Sequence, residues 1–230
     1  MPLRSDAIQR WWPTTQSLDL VEGPVEAVAA AVQVEVGRFV GTEPLRASWH
    51  AYTSIDTALE ATPEFANVPT LYLVLPTRSR WTALWNNSFL CDGYDSLCWC
   101  LTKNHSLTTI HWSAHDEWTT FQPGASFCHR RWDGANVVER SVHAAQEDNR
   151  WHFFEAGDAL PEEDARAYLA RRKRDRLNEL LVSQLLARLG ASPWSEDFYA
   201  LPEERCFVLQ RSKAPSTILR KAPSEVLRAG

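Results

Sequence analysis

Short apolar runs between residues 71 and 157 predict an antiparallel β-meander of about six strands. The runs are rich in β-branched and aromatic residues, and the Asp, Asn and Gly between them favour tight turns. They read LYLVLP, WTALWNN, LTTIHW, SFCHRRW, NVVERSVHAA and RWHFFEAG. Because the first run is apolar throughout, we expect a central strand that is buried on both faces.

Three helices are predicted around this meander. An N-terminal helix begins at Pro24, because the valines that follow recur at helical spacing. A short helix is inserted between the second and third strands, where an apolar stripe over 94–101 has the spacing i, i+3, i+4 and i+7. A long C-terminal helix is predicted over about 160–190, with acidic residues in its first turn and Gly190 at its end.

The chain is predicted to form a single α+β domain over residues 1–212, followed by a tail. Two further strands are expected at 45–53 and 205–211, outside the meander. The tail, 213–230, contains two consecutive copies of one motif, KAPSTILR and KAPSEVLR. Two copies are too few for a solenoid, so we expect this tail to be flexible or to dock on a partner.

Acidic residues are concentrated in the first two thirds of the chain. Residues 1–157 hold 11 basic and 18 acidic side chains, a balance of −7, whereas the whole chain carries −5. Nucleic-acid binding requires a basic face, so this distribution argues against it. One protein partner with a basic surface fits the acidic body better.

A strongly basic run, RRKRDR at 171–176, lies in the middle of the predicted long helix. It contains no apolar residue over more than one helical turn. One interpretation is a solvated helix segment whose arginine stems cover the body. The other is a recognition patch for a partner, with Arg172 and Arg176 as contacts.

Membrane and secretion signals are not found in the sequence. No apolar stretch reaches the roughly 18 residues of a membrane span, and the N-terminus lacks the apolar run of a signal peptide. The five cysteines have no disulfide-framework spacing. These features predict a cytoplasmic protein with reduced thiols and no membrane contact.

Tryptophan is unusually frequent. The chain has 11 tryptophans, whereas about 2 or 3 are expected for average composition. Most should pack in the core, and the remainder would offer rigid anchors for an interface.

The most enzyme-like group of residues consists of His111, His115 and His129. The first two share a face on either a helix or a strand, so together with His129 they could bind a metal. However, Trp112 stands where zinc-protease helices carry Glu, and P-loop, nucleophile-elbow and dinucleotide motifs are missing. We therefore expect a polar cluster on the open face of the sheet, with no cofactor and no catalytic residue. A small metal-dependent hydrolase is the alternative.

Two stretches, RWTALWNNSFLCDGY at 80–94 and RWHFFEAGDALPEEDARAYLARRKRDRL at 150–177, combine strands with an acidic cap and a basic helix. In this general character, over about residues 70–190, the chain resembles the small cytoplasmic immunity proteins of bacterial polymorphic toxin systems. The resemblance implies a non-enzymatic protein that neutralises one toxin by occluding its active site.

Occluding an active site requires an acidic, aromatic face that steers and anchors the partner. The candidate residues lie around one edge of the predicted meander and are Trp112, Asp116, Glu117, Trp118 and Trp132. A further alternative is an adaptor or structural component of a larger assembly, docked through the 213–230 tail.

Overall fold

The computed structural model describes residues 4–89, 94–115, 123–201, 203–212 and 217–227. The helices are α1 (Asp6–Arg10), α2 (Trp12–Thr15), α3 (Val25–Val40), α4 (Ile55–Glu60), α5 (Tyr94–His105), α6 (Glu179–Arg188) and α7 (Pro223–Val226). The strands are β1 (Ser17–Glu22), β2 (Leu45–His50), β3 (Phe65–Ala66), β4 (Leu71–Leu75), β5 (Trp81–Asn86), β6 (Thr109–His115), β7 (Gly124–Trp132), β8 (Val137–Glu147), β9 (Arg150–Ala156), β10 (Cys206–Arg211) and β11 (Arg220–Lys221). Short 3₁₀ helices lie at Ala167–Leu169, Lys173–Asp175 and Glu196–Phe198.

One large antiparallel sheet of nine strands dominates the fold, in the order β2-β10-β4-β5-β1-β6-β7-β8-β9. The α+β class is confirmed, and all six predicted meander strands are present. They do not form one continuous meander, because β1 pairs with both β5 and β6 and separates them. The apolar side chains of β1 explain its place: Leu18 and Leu20 are buried on one face and Val21 on the other, so this strand needs cover on both faces.

Helices cover both faces of the central strands. On one side, α3 and α5 pack on the sheet through buried apolar residues that include Val28, Val32, Leu97 and Leu101. On the other side, α1, α4 and α6 pack on Trp85 and its neighbours in β4, β5 and β6. β4 lies between β5 and β10 with four of its five residues buried. The prediction of a buried central strand at this position is therefore confirmed.

The predicted N-terminal helix and inserted short helix are both confirmed, as α3 and α5. The buried carboxylate of Glu35, on α3, connects the two helices through hydrogen bonds. His105 of α5 donates to it from Nε2 over 2.7 Å, and Asn104 donates over 3.2 Å. Within the described residues, no helix combines the length and the hydropathy needed to cross a bilayer.

The prediction of one long helix over 160–190 is wrong. The segment instead contains the 3₁₀ helices Ala167–Leu169 and Lys173–Asp175, and a regular helix forms only in α6, capped by the side chain of Asn178. Two physical causes keep the segment before Asn178 from forming a regular helix. The first is that Glu163 is buried as the partner of Arg140, at 2.7 Å, which holds the chain against the body at this point. The second is that the arginine-rich stretch after it has no apolar stripe that packing could stabilise.

The described part of the tail lies against the body. β11 pairs with β3, and the backbone N–H of Leu219 donates to the side-chain oxygen of Asn67 over 3.0 Å. The ammonium of Lys221 lies 4.4 Å from the centre of the Phe89 ring. Both copies of the repeated motif thus contribute contacts within the chain, Leu219 and Arg220 from the first copy and Lys221 from the second. Docking of a partner on the tail stays a prediction.

Candidate functional site

The two faces of the β6–β9 half of the sheet differ in character. Strand alternation turns Ile110, Trp112 and Ala114 of β6 into the core, where they are buried. The opposite side of these strands, which we call the open face, carries polar residues. They are His111, Ser113, Ser126, Cys128, Ser141 and His143, together with Phe154 on β9.

A groove of about 240 Å³ runs over the open face between α5 and β9. Its lining includes Asp95, His111, Cys128, Arg130, Glu139 and Phe154. We call it the open-face groove. Titratable residues from β6, β7, β8 and α5 meet in this groove. Asp19 of β1 lies behind His111 and adds a fourth strand.

Asp19 orients His111 at the base of this groove. The two residues are directly opposite in the register of β1 and β6, and Asp19 is fully buried. His111 donates from Nδ1 to a carboxylate oxygen of Asp19 over 2.7 Å. Burial disfavours the charged imidazolium, but the charge and the hydrogen bond of Asp19 outweigh it, so the pKa of His111 is raised. The ring is thereby fixed in orientation, and it keeps its proton to a higher pH than a free histidine does.

Two thiols near this dyad are held in their neutral form. Cys98 of α5 is fully buried, and burial followed by the charge of Asp19 raises its pKa. Cys128 lies opposite His111 in the register of β6 and β7, and burial raises its pKa to about 12. Ser141 also donates to the Cys128 sulfur, at 3.5 Å. Since the thiolate is the nucleophilic form, neither cysteine is an activated nucleophile.

Two exposed carboxylates are fixed by one buried guanidinium. Arg130 is 4% exposed and contacts Asp95 and Glu139 at 2.6 Å each. Burial opposes ionisation of Arg130, but the hydrogen bond that it donates to Asp95 leads the effects that raise its pKa, so it stays charged. The side chains of Asp95 and Glu139 are 59% and 40% exposed. Two carboxylates against one guanidinium make this part of the groove acidic, with the negative groups towards solvent.

An aromatic residue stands at the rim of the open-face groove. Phe154 is 56% exposed, and its ring meets the His143 ring edge-on at 6.3 Å. Deeper on the face, the hydroxyls of Ser113 and Ser126 are 2.7 Å apart. An exposed aromatic beside fixed charges is a typical composition for a recognition surface.

The sequence-predicted tryptophan anchors do not form one surface. Trp112 is fully buried and its ring lies 4.4 Å from that of Trp194, so its assignment as an interface anchor is wrong. Alternation along β6 puts it on the core face with Ile110 and Ala114, opposite His111. Trp132 is the last residue of β7 and is partly exposed. It lies on the same face of the strand as Cys128, which is the open face. The other three candidates, Asp116, Glu117 and Trp118, lie outside the described residues.

Of the two predicted arginine contacts, Arg176 lies on the side of the sheet opposite the open-face groove. Arg176 donates from Nε to the carbonyl oxygen of Ala170 over 2.9 Å, and its guanidinium lies 5.3 Å from the Phe153 ring centre. It therefore supports the chain locally. Arg172 is exposed at the start of the Lys173–Asp175 turn.

The three histidines of the metal alternative do not converge. His111 and His115 share the open face, but four residues along a strand place them about 13 Å apart. His129 pairs with the core-facing Ile110 and lies on the other face. His115 instead contacts the side-chain oxygen of Gln16 at 2.6 Å. Within the described ranges, no group of three or more His, Cys, Asp or Glu is placed to hold a metal ion.

Sequence reasoning missed Asp19. The segment SLDLVE alternates apolar and polar residues, a pattern typical of a half-buried strand. That alternation puts Asp19 on the face opposite Leu18 and Leu20, but nothing local indicates that its neighbour is His111.

No known protein family, no curated protein and no solved structure matches this chain. Its function therefore has to be inferred from the open-face groove itself.

Proposed function

We propose that the protein is a non-enzymatic binding module that holds a basic segment of one protein partner in the open-face groove. The observation that carries this proposal is the pair of exposed carboxylates, Asp95 and Glu139, fixed on the buried Arg130. The exposed Phe154 at the rim supplies an apolar anchor beside them.

The arrangement favours a cationic ligand for a physical reason. Each carboxylate already has one oxygen on Arg130, so its position is set before a partner arrives and little side-chain entropy is lost on binding. The side chains of Asp95 and Glu139 are partly exposed, and Ser141 already donates to the second oxygen of Glu139 over 3.0 Å. The lone pairs that are still free can accept hydrogen bonds from Lys or Arg. Exposed negative charge also steers a basic partner towards the groove.

Neutralisation of a bacterial toxin is the specific role that we propose for this binding. It rests on the general resemblance of 80–94 and 150–177 to cytoplasmic immunity proteins, which implies occlusion of a toxin's active site. A cytoplasmic location belongs to the same proposal. The open-face groove would then receive a basic surface loop of the toxin.

The test is the rate of association with a partner captured on the tagged full-length chain from its native cells. We expect the double variant Asp95→Asn with Glu139→Gln to associate about tenfold more slowly at low salt, and the difference to shrink at high salt as the charges are screened. The matched control is Glu26→Gln, an exposed carboxylate on α3, which should associate like the wild type. Equal rates for the double variant and the wild type at low salt would contradict the proposal.

A second candidate function is acid–base catalysis by His111. The observation that favours it is the 2.7 Å contact with the buried Asp19, the arrangement that holds a catalytic imidazole in one orientation. Hydrolysis of p-nitrophenyl acetate tests it. Turnover by the wild type that His111→Gln abolishes would support a hydrolase. Equal rates of p-nitrophenol release by the two proteins would reject it.

A further inference from the structure

Within the part of the chain that the structure describes, the strand β9 ends the large sheet and pairs with β8 alone. Asp148 and Asn149 connect the two strands with positive φ values of 47° and 62°, as a two-residue type I′ turn requires. In such a hairpin the flanking pair, Glu147 and Arg150, exchanges both backbone hydrogen bonds, and every second pair after it does the same. The backbone groups of the intervening β9 residues therefore point away from β8. These residues are Trp151, Phe153 and Glu155.

The outward backbone groups of β9 have no partner among the described residues. Among the described residues, no hydrogen bond reaches the backbone N–H or C=O groups of Trp151, Phe153 or Glu155. Exposed edges are normally blocked by proline, charged side chains, a bulge or a covering loop. β9 has no proline and no bulge, because its register with β8 runs one-to-one from Arg150 to Ala156, and its charged residues are limited to Arg150 and Glu155. Seven residues at about 3.3 Å each give an open edge of about 23 Å.

The open edge adjoins the open-face groove. Phe154 of β9 is itself a groove residue, and Glu139 lies on the neighbouring strand β8. A strand laid along β9 would place alternate side chains on the open face, beside Phe154, and long basic side chains there could reach towards Glu139. The opposite sheet edge, β2, has no contact with this groove.

We propose that the partner binds by adding an extended segment to β9 as a tenth strand, with Lys or Arg at the alternate positions that face the groove. This inference rests on the proposed function and deepens it, because it names the binding mode and the chemistry of the segment. Main-chain hydrogen bonds to Trp151, Phe153 and Glu155 supply affinity, and the acidic groove selects basic side chains. Self-pairing of β9 with a second copy of the chain is the competing occupant.

The test uses the full-length chain and two fluorescent nine-residue peptides, one alternating Lys and Val and the other alternating Glu and Val. Binding is measured by anisotropy for the wild type, Glu155→Ala and Glu155→Pro. Both variants lose the contact of Glu155 with Arg140, but only proline removes the outward N–H. We expect the basic peptide to bind the wild type and Glu155→Ala alike and Glu155→Pro about tenfold more weakly, with the acidic peptide about tenfold weaker than the basic one.

Equal binding by the proline and alanine variants, or no preference for the basic peptide, would overturn strand addition. So would a wild-type dimer whose β9 amides are already protected from hydrogen exchange. If Glu155→Pro does not fold, amide exchange in the wild type decides: the basic peptide must slow exchange at 151, 153 and 155. The peptide test can fail while the Asp95→Asn, Glu139→Gln variant still associates more slowly with the partner. That combination would support the proposed function and reject only strand addition as the binding mode.

Discussion

The imidazole of His111 and the carboxylate of Asp19 are joined by a 2.7 Å hydrogen bond although 92 residues separate them in the sequence. The contact connects β1 to β6 at the base of the open-face groove. Because Asp19 is fully buried, the state of His111 bears on the stability of the fold as well as on the electrostatics of the groove.

The stability of the protein should therefore depend on pH through His111. Its folded pKa is raised above an unfolded value of about 6.5. The stabilisation is fully present below the unfolded value and is lost as the pH rises through the folded pKa. We expect the free energy of unfolding in urea to fall in the wild type as the pH rises above about 6.5, and to fall less in His111→Gln. Parallel pH profiles for the two proteins would refute this assignment.

Trp112 should behave as a core residue and not as an interface anchor. It is fully buried against Trp194, so Trp112→Ala should cost about 3–5 kcal/mol of unfolding free energy. Trp99, on the exposed side of α5, is the matched control, and Trp99→Ala should cost less than about 1 kcal/mol. Denaturant unfolding measures both values. A similar loss of unfolding free energy in the two variants would show that Trp112 does not stabilise the core more than an exposed tryptophan does.

The buried thiols should resist alkylation in the native protein. Burial raises the pKa of Cys128 and Cys206 to about 12, so at about pH 8 almost no thiolate forms. With iodoacetamide and mass spectrometry, we expect both to react more than about a hundredfold more slowly in the native protein than in urea. Cys100, which is only partly buried, should react faster in the native state. Native Cys128 reacting as fast as Cys100 would contradict the burial.

Gly157 should be irreplaceable by alanine. Its φ is +77°, and an added Cβ would lie 2.0 Å from the carbonyl oxygen of Glu139. Gly134 also has a positive φ, +100°, but open space around it. Gly134→Ala should therefore cost only the backbone strain, about 1–3 kcal/mol, and Gly157→Ala at least about 2 kcal/mol more. Equal midpoints in denaturant unfolding would show that the chain relaxes around Gly157.

The local sequence pattern was sufficient to predict the helices that bury one continuous apolar stripe and the strands that form one apolar run. The valine spacing predicted α3, the stripe over 94–101 predicted α5, and the six apolar runs predicted β4 to β9 without β1 between them. These patterns are readable because side-chain direction repeats every 3.6 residues in a helix and every two in a strand. The polar character of the open face, including His111, followed from the same alternation.

Only the tertiary structure decided which distant segments meet. It placed β1 between β5 and β6, which brought Asp19 to His111, and it packed Trp112 against Trp194. It also ended the predicted long helix, because Glu163 is needed by Arg140 inside the body. Sequence by itself determined the strands β4 to β9 and the helices α3 and α5. Strand order depended on burying both faces of β1 at once, a requirement that no local window of residues contains.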